Sequence, residues 1–175
     1  VNIVVELIGG ENPALELILT AVRNGKHVVT ANKEVISKHG AEIFSLAREN
    51  NVRVLFEASV GGGIPIISPL IRDLVSNDIR SIKAIINGTT NYILTRMAHE
   101  QADYEAVLSE AQKLGYAETD PTSDVEGIDA AYKLSILSTL AFRASIKDTD
   151  IYTEGITNLT DKDFQYAKEL GYSIK

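Results

Sequence analysis

The first sixty residues alternate apolar runs with segments of helical spacing, and no other feature of the chain narrows its fold as far. VNIVVELI (1–8) is a continuous apolar run that ends at Gly9-Gly10 and reads as a buried parallel strand. In the following ENPALELILTAVRNGKHVV, Asn12 suits an N-cap, Pro13 the first helical position and Gly25 the helix stop. HVVT (27–30) reads as a second strand, a helical pattern covers 39–49, and VRVLFEASV (52–60) is a third strand that runs into Gly61-Gly62-Gly63. Strand, helix, strand, helix, strand with short links predicts an α/β fold on a doubly wound parallel sheet.

Beyond Gly63 the pattern changes. A helix is expected from Ile64-Pro65 to Val75, a strand over IRSIKAIIN (79–87), and a helix entered through NGTTNY with Thr89 or Thr90 near its N-cap. DYEAVLSEAQKLG (103–115) is amphipathic with Gly115 as its stop, and further helices are expected over 125–142 and 161–170. The chain opens in mid-strand and finishes at GYSIK, which reads as the start of another strand. With no G-x-G-x-x-G or P-loop present, the expectation is an excised piece of a longer protein.

Composition excludes several functions. A net charge of -7 argues against a nucleic-acid partner, which clustered Lys and Arg would have to hold. No apolar run reaches the ~20 residues that span a bilayer, so no membrane partner is expected. The chain has no cysteine, which removes disulfides, thiolate metal sites and thiol nucleophiles together; a reducing, cytoplasmic setting is the expectation.

Chemistry is concentrated in GYAETDPTSDVEGIDAAYKLSILSTLAF (115–142), where Glu118, Asp120, Asp124, Glu126 and Asp129 precede Lys133. Read as a calcium loop with Gly127 at its glycine position, the segment puts Lys133 where a bidentate glutamate is required, so that reading fails. Carboxylates favoured at a helix start are the plain structural account. Asp129 and Lys133, four residues apart, share one helix face. Such a pair on a surface is worth only ~0.3–0.5 kcal/mol. Lining a cleft, it can exchange a proton with a substrate oxygen, with the carboxylate positioning the ammonium. Lys33, in ANK after the second strand, sits at the sheet's carboxyl edge, where open α/β sheets bind ligands; an ordinary lysine at a helix entry is the competing account. Gly9-Gly10 holds the equivalent place after the first strand. EASVGGGIP (57–65) joins a carboxylate, three glycines and a helix start, and serves either an ion or a tight turn. His27, His39 and His99 show no ligand spacing.

Together these stretches resemble the homoserine dehydrogenase family, of the monofunctional bacterial type. The block AQKLGYAETDPTSDVEGIDAAYK (111–133) carries the resemblance, and TANKEV, FEASVGGGIPII and NGTTNYIL match three further blocks in order. The resemblance implies a partial doubly wound (Rossmann-type) sheet followed by an α+β substrate and dimerisation domain. Residues 1–57 would form the second part of the dinucleotide-binding domain and 58–175 the catalytic and dimerisation domain, both incomplete. The activity implied is NAD- or NADP-dependent interconversion of L-homoserine and L-aspartate 4-semialdehyde by a cytoplasmic homodimer, with this stretch alone inactive. Lys133, Asp129 and Lys33 would be catalytic; Glu118, Asp124, Tyr116 and Thr89 would meet the substrate. Ile8, Gly9, Lys33 and Gly115 would meet the cofactor. Glu57, Val60, Gly62 and Ile64 would hold a sodium ion, mostly through backbone carbonyls. Acylating semialdehyde enzymes are excluded, because they need a cysteine. Another reductase with the same two-domain plan, or a non-catalytic amino-acid-binding or assembly module, stands as the alternative.

Overall fold

Three short parallel strands carry the amino-terminal architecture. A computed structural model describes residues 1–100 and 102–175. β1 (Ile3–Glu6), β2 (His27–Thr30) and β3 (Val54–Leu55) lie in the order β1-β2-β3, with Val4 opposite Val28 and Val28 opposite Val54. The crossovers are α1 (Ala14–Arg23) and α2 (Lys33–Glu49). Both helices are amphipathic. Ile18, Val22, Val35 and Ile43 are buried, and the core they form takes in Val4, Val28 and Val54 from one face of the sheet. Strand side chains alternate between faces, so Ile3, Val5, Val29 and Leu55 belong to the other face, and they are exposed. The α/β class is as expected, whereas burial of strand 1–8 on both faces is not: one layer of helices covers one face.

The chain forms two compact units, Val1–Ile82 with Tyr132–Ile151, and Lys83–Ala131 with Tyr152–Lys175. In the first, a second apolar cluster gathers Ile36, Phe56, Val60, Ile67, Leu70, Ile136 and Leu137. The second unit is built from α3 (Gly88–Glu100), α4 (Tyr104–Lys113), α5 (Thr122–Val125) and α7 (Asp161–Glu169), with Ile93, Met97, Val107 and Phe164 in its core. α6 (Ile128–Phe142) begins in the second unit and continues into the first.

Several sequence expectations move. α2 starts at Lys33 rather than 39, because the Asn32 side chain caps it by accepting from Val35 N–H at 3.2 Å. Pro13, not Asn12, holds the cap position of α1, and no side chain caps it. The third strand shortens to Val54–Leu55, since β2 pairs only those two residues, and the chain then tightens into a 3-10 turn, Glu57–Ser59. The helix expected from 64 to 75 reduces to residues 67–73, ending in a π-helical turn, Pro69–Asp73. Residues 79–87 and 172–175 form no strand, because a strand exists only by its ladder and no neighbouring strand pairs with either segment among the described residues. The helix expected over 125–142 begins at Ile128, after the short separate helix α5. Val125 C=O accepts from Ile156 N–H at 2.8 Å, and Gly127 takes φ +80°, a conformation open to glycine, before α6 begins.

Glu57 explains the local stability of the turn that follows it. Its carboxylate accepts from the N–H groups of Ile66 (2.7 Å), Ile67 (2.9 Å) and Ser68 (2.8 Å), which would otherwise be orphans at a helix start. Partial desolvation works to raise its pKa, but these donors outweigh it and hold the carboxyl below the ordinary glutamate value. A depressed folded pKa contributes stability above the unfolded value, near ~4.3, and loses it as pH falls through the folded value. Glu57→Gln is therefore expected to be less stable than the parent at pH 7, with the gap closing below about pH 4. Urea unfolding midpoints measured across pH check this, and a gap that does not vary with pH contradicts it.

Candidate active site

At the carboxyl edge of the sheet, a buried carboxylate organises the loops after β1 and β2. Glu6, only 3% exposed, accepts from Ile8 N–H at 2.8 Å and Gly9 N–H at 3.4 Å through one oxygen, and from the Thr30 hydroxyl at 2.6 Å through the other. Thr30 Oγ1 accepts in turn from Asn32 N–H (2.9 Å), and the Asn32 amide donates to Gly10 C=O (2.7 Å). Residues separated by 24 positions are thus tied into one rim, with Ile8, Gly9 and the first residue of α2, Lys33, on it. Ile8 is exposed and Lys33 half-buried. Gly9 takes φ +78° with open space where a Cβ would project, so a ligand can approach the backbone closely there. That opening at the ends of parallel strands suits a dinucleotide, whose site in such sheets lies outside the carboxyl ends.

The second unit holds the acidic residues. Asp129, in the first turn of α6, is 3% exposed; Asp124 is half-buried and Glu118 exposed. Asn87 joins the first two: its Nδ2 donates to Asp124 Oδ1 at 2.7 Å and to Asp129 Oδ2 at 2.9 Å. The amide nitrogen carries two protons, one for each of these carboxyl oxygens. The Asn87 carbonyl oxygen accepts from Thr90 N–H (2.8 Å) and the Thr90 hydroxyl (3.0 Å), capping α3. Asn87 is therefore the cap, and Thr89 and Thr90 lie near it in the first turn. Thr89 instead donates to Tyr116 C=O at 2.9 Å, and the Tyr116 ring stacks on Tyr92 with centroids 4.7 Å apart. Gly115 follows α4, and Gln112 Nε2 donates to Glu118 C=O at 3.1 Å. Of the remaining carboxylates, Asp120 accepts from Thr122 and Glu126 from Thr157.

Lys133 lies four residues after Asp129 on α6, half-buried, within the first unit. Glu57 is engaged by backbone N–H groups, Val60 is buried, and Gly62 and Ile64 are on an exposed turn closed by Ile64 N–H donating to Gly61 C=O at 3.0 Å. With the Glu57 side chain so occupied, a hard cation at this turn would take backbone carbonyls. Among the described residues no three His, Cys, Asp or Glu are grouped to hold a metal. Glu6 and Asn87 are the residues that sequence reasoning missed. Each carried a signal: a lone carboxylate inside an apolar strand run, and an asparagine directly before a glycine-led helix start.

Comparison with known proteins identifies the family. Residues 65–175 match the family profile described as homoserine dehydrogenase, and residues 1–57 match its NAD binding domain. The chain belongs to the homoserine dehydrogenase family. A homoserine dehydrogenase of Synechocystis sp. is 54% identical over all 175 residues, which make up 40% of that relative. The crystal structure of a homoserine dehydrogenase from Thiobacillus denitrificans superposes on 100% of this chain and 41% of its own with TM-score 0.98 and 56% identity. A hyperthermophilic archaeal homoserine dehydrogenase mutant solved in complex with NADPH matches over 91% of this chain and 49% of its own, at 35% identity and TM-score 0.82. The chain thus spans about 40% of the length of the Synechocystis and Thiobacillus homoserine dehydrogenases. No helix among the described residues is long and apolar enough to cross a membrane.

Asn87 answers two carboxylates at once, one of them buried, so its loss is costly in a predictable way. Asn87→Ala is expected to lower unfolding free energy by roughly 1–3 kcal/mol, the range for removing a partner from a buried polar group. Asn87→Asp is expected to do worse at pH 7, by setting a third carboxylate against the other two. Chemical denaturation of both variants checks the order; an Asn87→Asp protein as stable as the parent contradicts it.

Proposed function

We propose that the protein containing this chain interconverts L-homoserine and L-aspartate 4-semialdehyde. Residues 1–57 are the second part of its dinucleotide-binding domain and residues 58–175 its catalytic and dimerisation domain. The observation that carries this reading is the order at the head of α6, where buried Asp129 is held by Asn87 and followed four residues later by Lys133. It stands inside a chain alignable along its whole length with homoserine dehydrogenases. Bound NAD(P) supplies the hydride acceptor or donor. Lys133 takes the proton from the substrate hydroxyl during oxidation and returns it to the aldehyde oxygen during reduction, with Asp129 orienting its ammonium. Glu118 pairs with the substrate ammonium, while Asp124, Tyr116 and Thr89 shape the pocket around it. Lys33 meets the nicotinamide side and the substrate, and Ile8, Gly9 and Gly115 lie against the cofactor.

Lys133→Ala in the full-length protein is expected to lower kcat by about 10²–10⁴, the range for a positioned acid or base, with folding intact. Asp129→Ala should also depress kcat while the parent's cofactor affinity persists. Unchanged turnover in both variants would reject these roles, and absence of turnover in the parent full-length protein would favour a non-catalytic amino-acid-binding module instead.

A sodium ion at Glu57, Val60, Gly62 and Ile64, held through backbone carbonyls, belongs to the same reading. Sodium is expected to raise the thermal midpoint of the full-length protein relative to choline at equal ionic strength; equal midpoints reject the site. The reading also carries a cytoplasmic homodimer, which sedimentation of the full-length protein checks for assembly and cell fractionation for location.

A further inference from the structure

We propose that the cleft between α2 and the carboxy-terminal half of α6 binds a small organic anion with an aromatic or branched apolar body. The cleft lies wholly in the first unit and encloses about 490 Å³, within the range of small-molecule sites. Its floor is apolar: Ile36, Phe56 and Ile136 are buried, and the Phe44 and Phe56 rings meet at 5.0 Å. Its inner end is closed by the buried hydroxyls of Ser37 and Ser135, hydrogen-bonded to each other at 2.5 Å.

The walls bear one sign of charge. Arg48, Arg143, Lys38 and Lys147 line the cleft, and no carboxylate does. Lys38 is already answered by Glu11 at 2.9 Å and Glu34 at 2.7 Å, so it adds little net field. Arg48 and Lys147 are exposed and have no ion pair among the salt bridges of the described residues. A chain of net charge -7 that gathers cations over an apolar floor favours an anion there against its overall field.

Local backbone geometry preserves the cleft. Arg143 ends α6 with φ 53°, a left-handed conformation uncommon for a residue with a side chain, and its guanidinium donates to Val75 C=O. After this reversal, Ile146 is tied back to α6: the Thr139 hydroxyl donates to Ile146 C=O and accepts from Ile146 N–H, both at 3.1 Å. Residues 144–147 therefore form a held wall, and Lys147 stands on it. Apolar area in the floor supplies affinity, and cations at the mouth select the charged head.

Indole-3-acetate is a suitable probe, with indole-3-acetamide and inorganic phosphate as controls that lack the charge and the apolar body respectively. Calorimetry on the full chain is expected to give saturable binding of the acetate. Methyl NMR shifts should be confined to Ile36, Ile136 and Leu140. The amide and phosphate should each bind about tenfold more weakly or less, the scale of losing a charge-assisted contact or the buried ring. Arg48→Gln and Lys147→Gln, both at exposed positions and so expected to fold, should each weaken the acetate by up to about fivefold and leave the amide unchanged. Acetate and amide binding equally, affinity unmoved by both substitutions, shifts elsewhere, or no saturation up to several millimolar would each overturn the proposal.

Discussion

A carboxylate withdrawn from water has to be answered by donors, and two such groups, Glu6 and Asp129, set the local structure around the candidate site. Each is only 3% exposed. An unanswered buried charge costs several kcal/mol, so the chain around each is arranged to supply N–H and O–H groups. For Glu6 these are the backbone after β1 and the Thr30 hydroxyl at the end of β2. For Asp129 one of them is the Asn87 amide, shared with Asp124. The loops at the sheet edge and the approach to α3 are thereby fixed by electrostatics rather than by apolar packing.

The same economy of donors shapes the path between the elements. Asn32 belongs to the Glu6 network through its backbone N–H and starts α2 through its side chain, so Lys33 occupies a defined position as the first helical residue. In the second unit, the Ile156 N–H takes the Val125 carbonyl and stops α5, and Gly127 turns the chain so that α6 begins with Asp129 in its first turn. Placing a carboxylate in a helix's first turn also sets it at the favourable end of the macrodipole. Helix boundaries thus fix where the candidate residues Lys33 and Asp129 lie.

Several residues of the candidate site are legible in the sequence as candidates for chemistry. Asp129 and Lys133 stand out by their four-residue spacing on one helix face, Asp124 by its place in the acidic segment, and Lys33 by its position after the second strand, although each also has a plain structural account. Glu6 and Asn87 were passed over. A single acid in an apolar strand and a single asparagine before Gly-Thr-Thr have no periodicity to betray them. Their importance is a matter of partners 24, 37 and 42 residues away. The strand expected over 79–87 failed for a related reason: its β-branched residues have the right propensity, but a strand needs a neighbour to pair with.

By itself the sequence determined the α/β class, the order of the elements through the third strand and the family, since apolar periodicity, glycine placement and the 111–133 block are all local patterns. Tertiary structure alone decided which face of the sheet is covered, which carboxylates are buried and which residues hold them. It also brought Phe44 and Phe56, with Arg48 and Lys147, around one cleft. The reason is that burial and hydrogen-bond satisfaction depend on groups distant along the chain, whereas periodicity reports only what each segment presents to whatever packs against it.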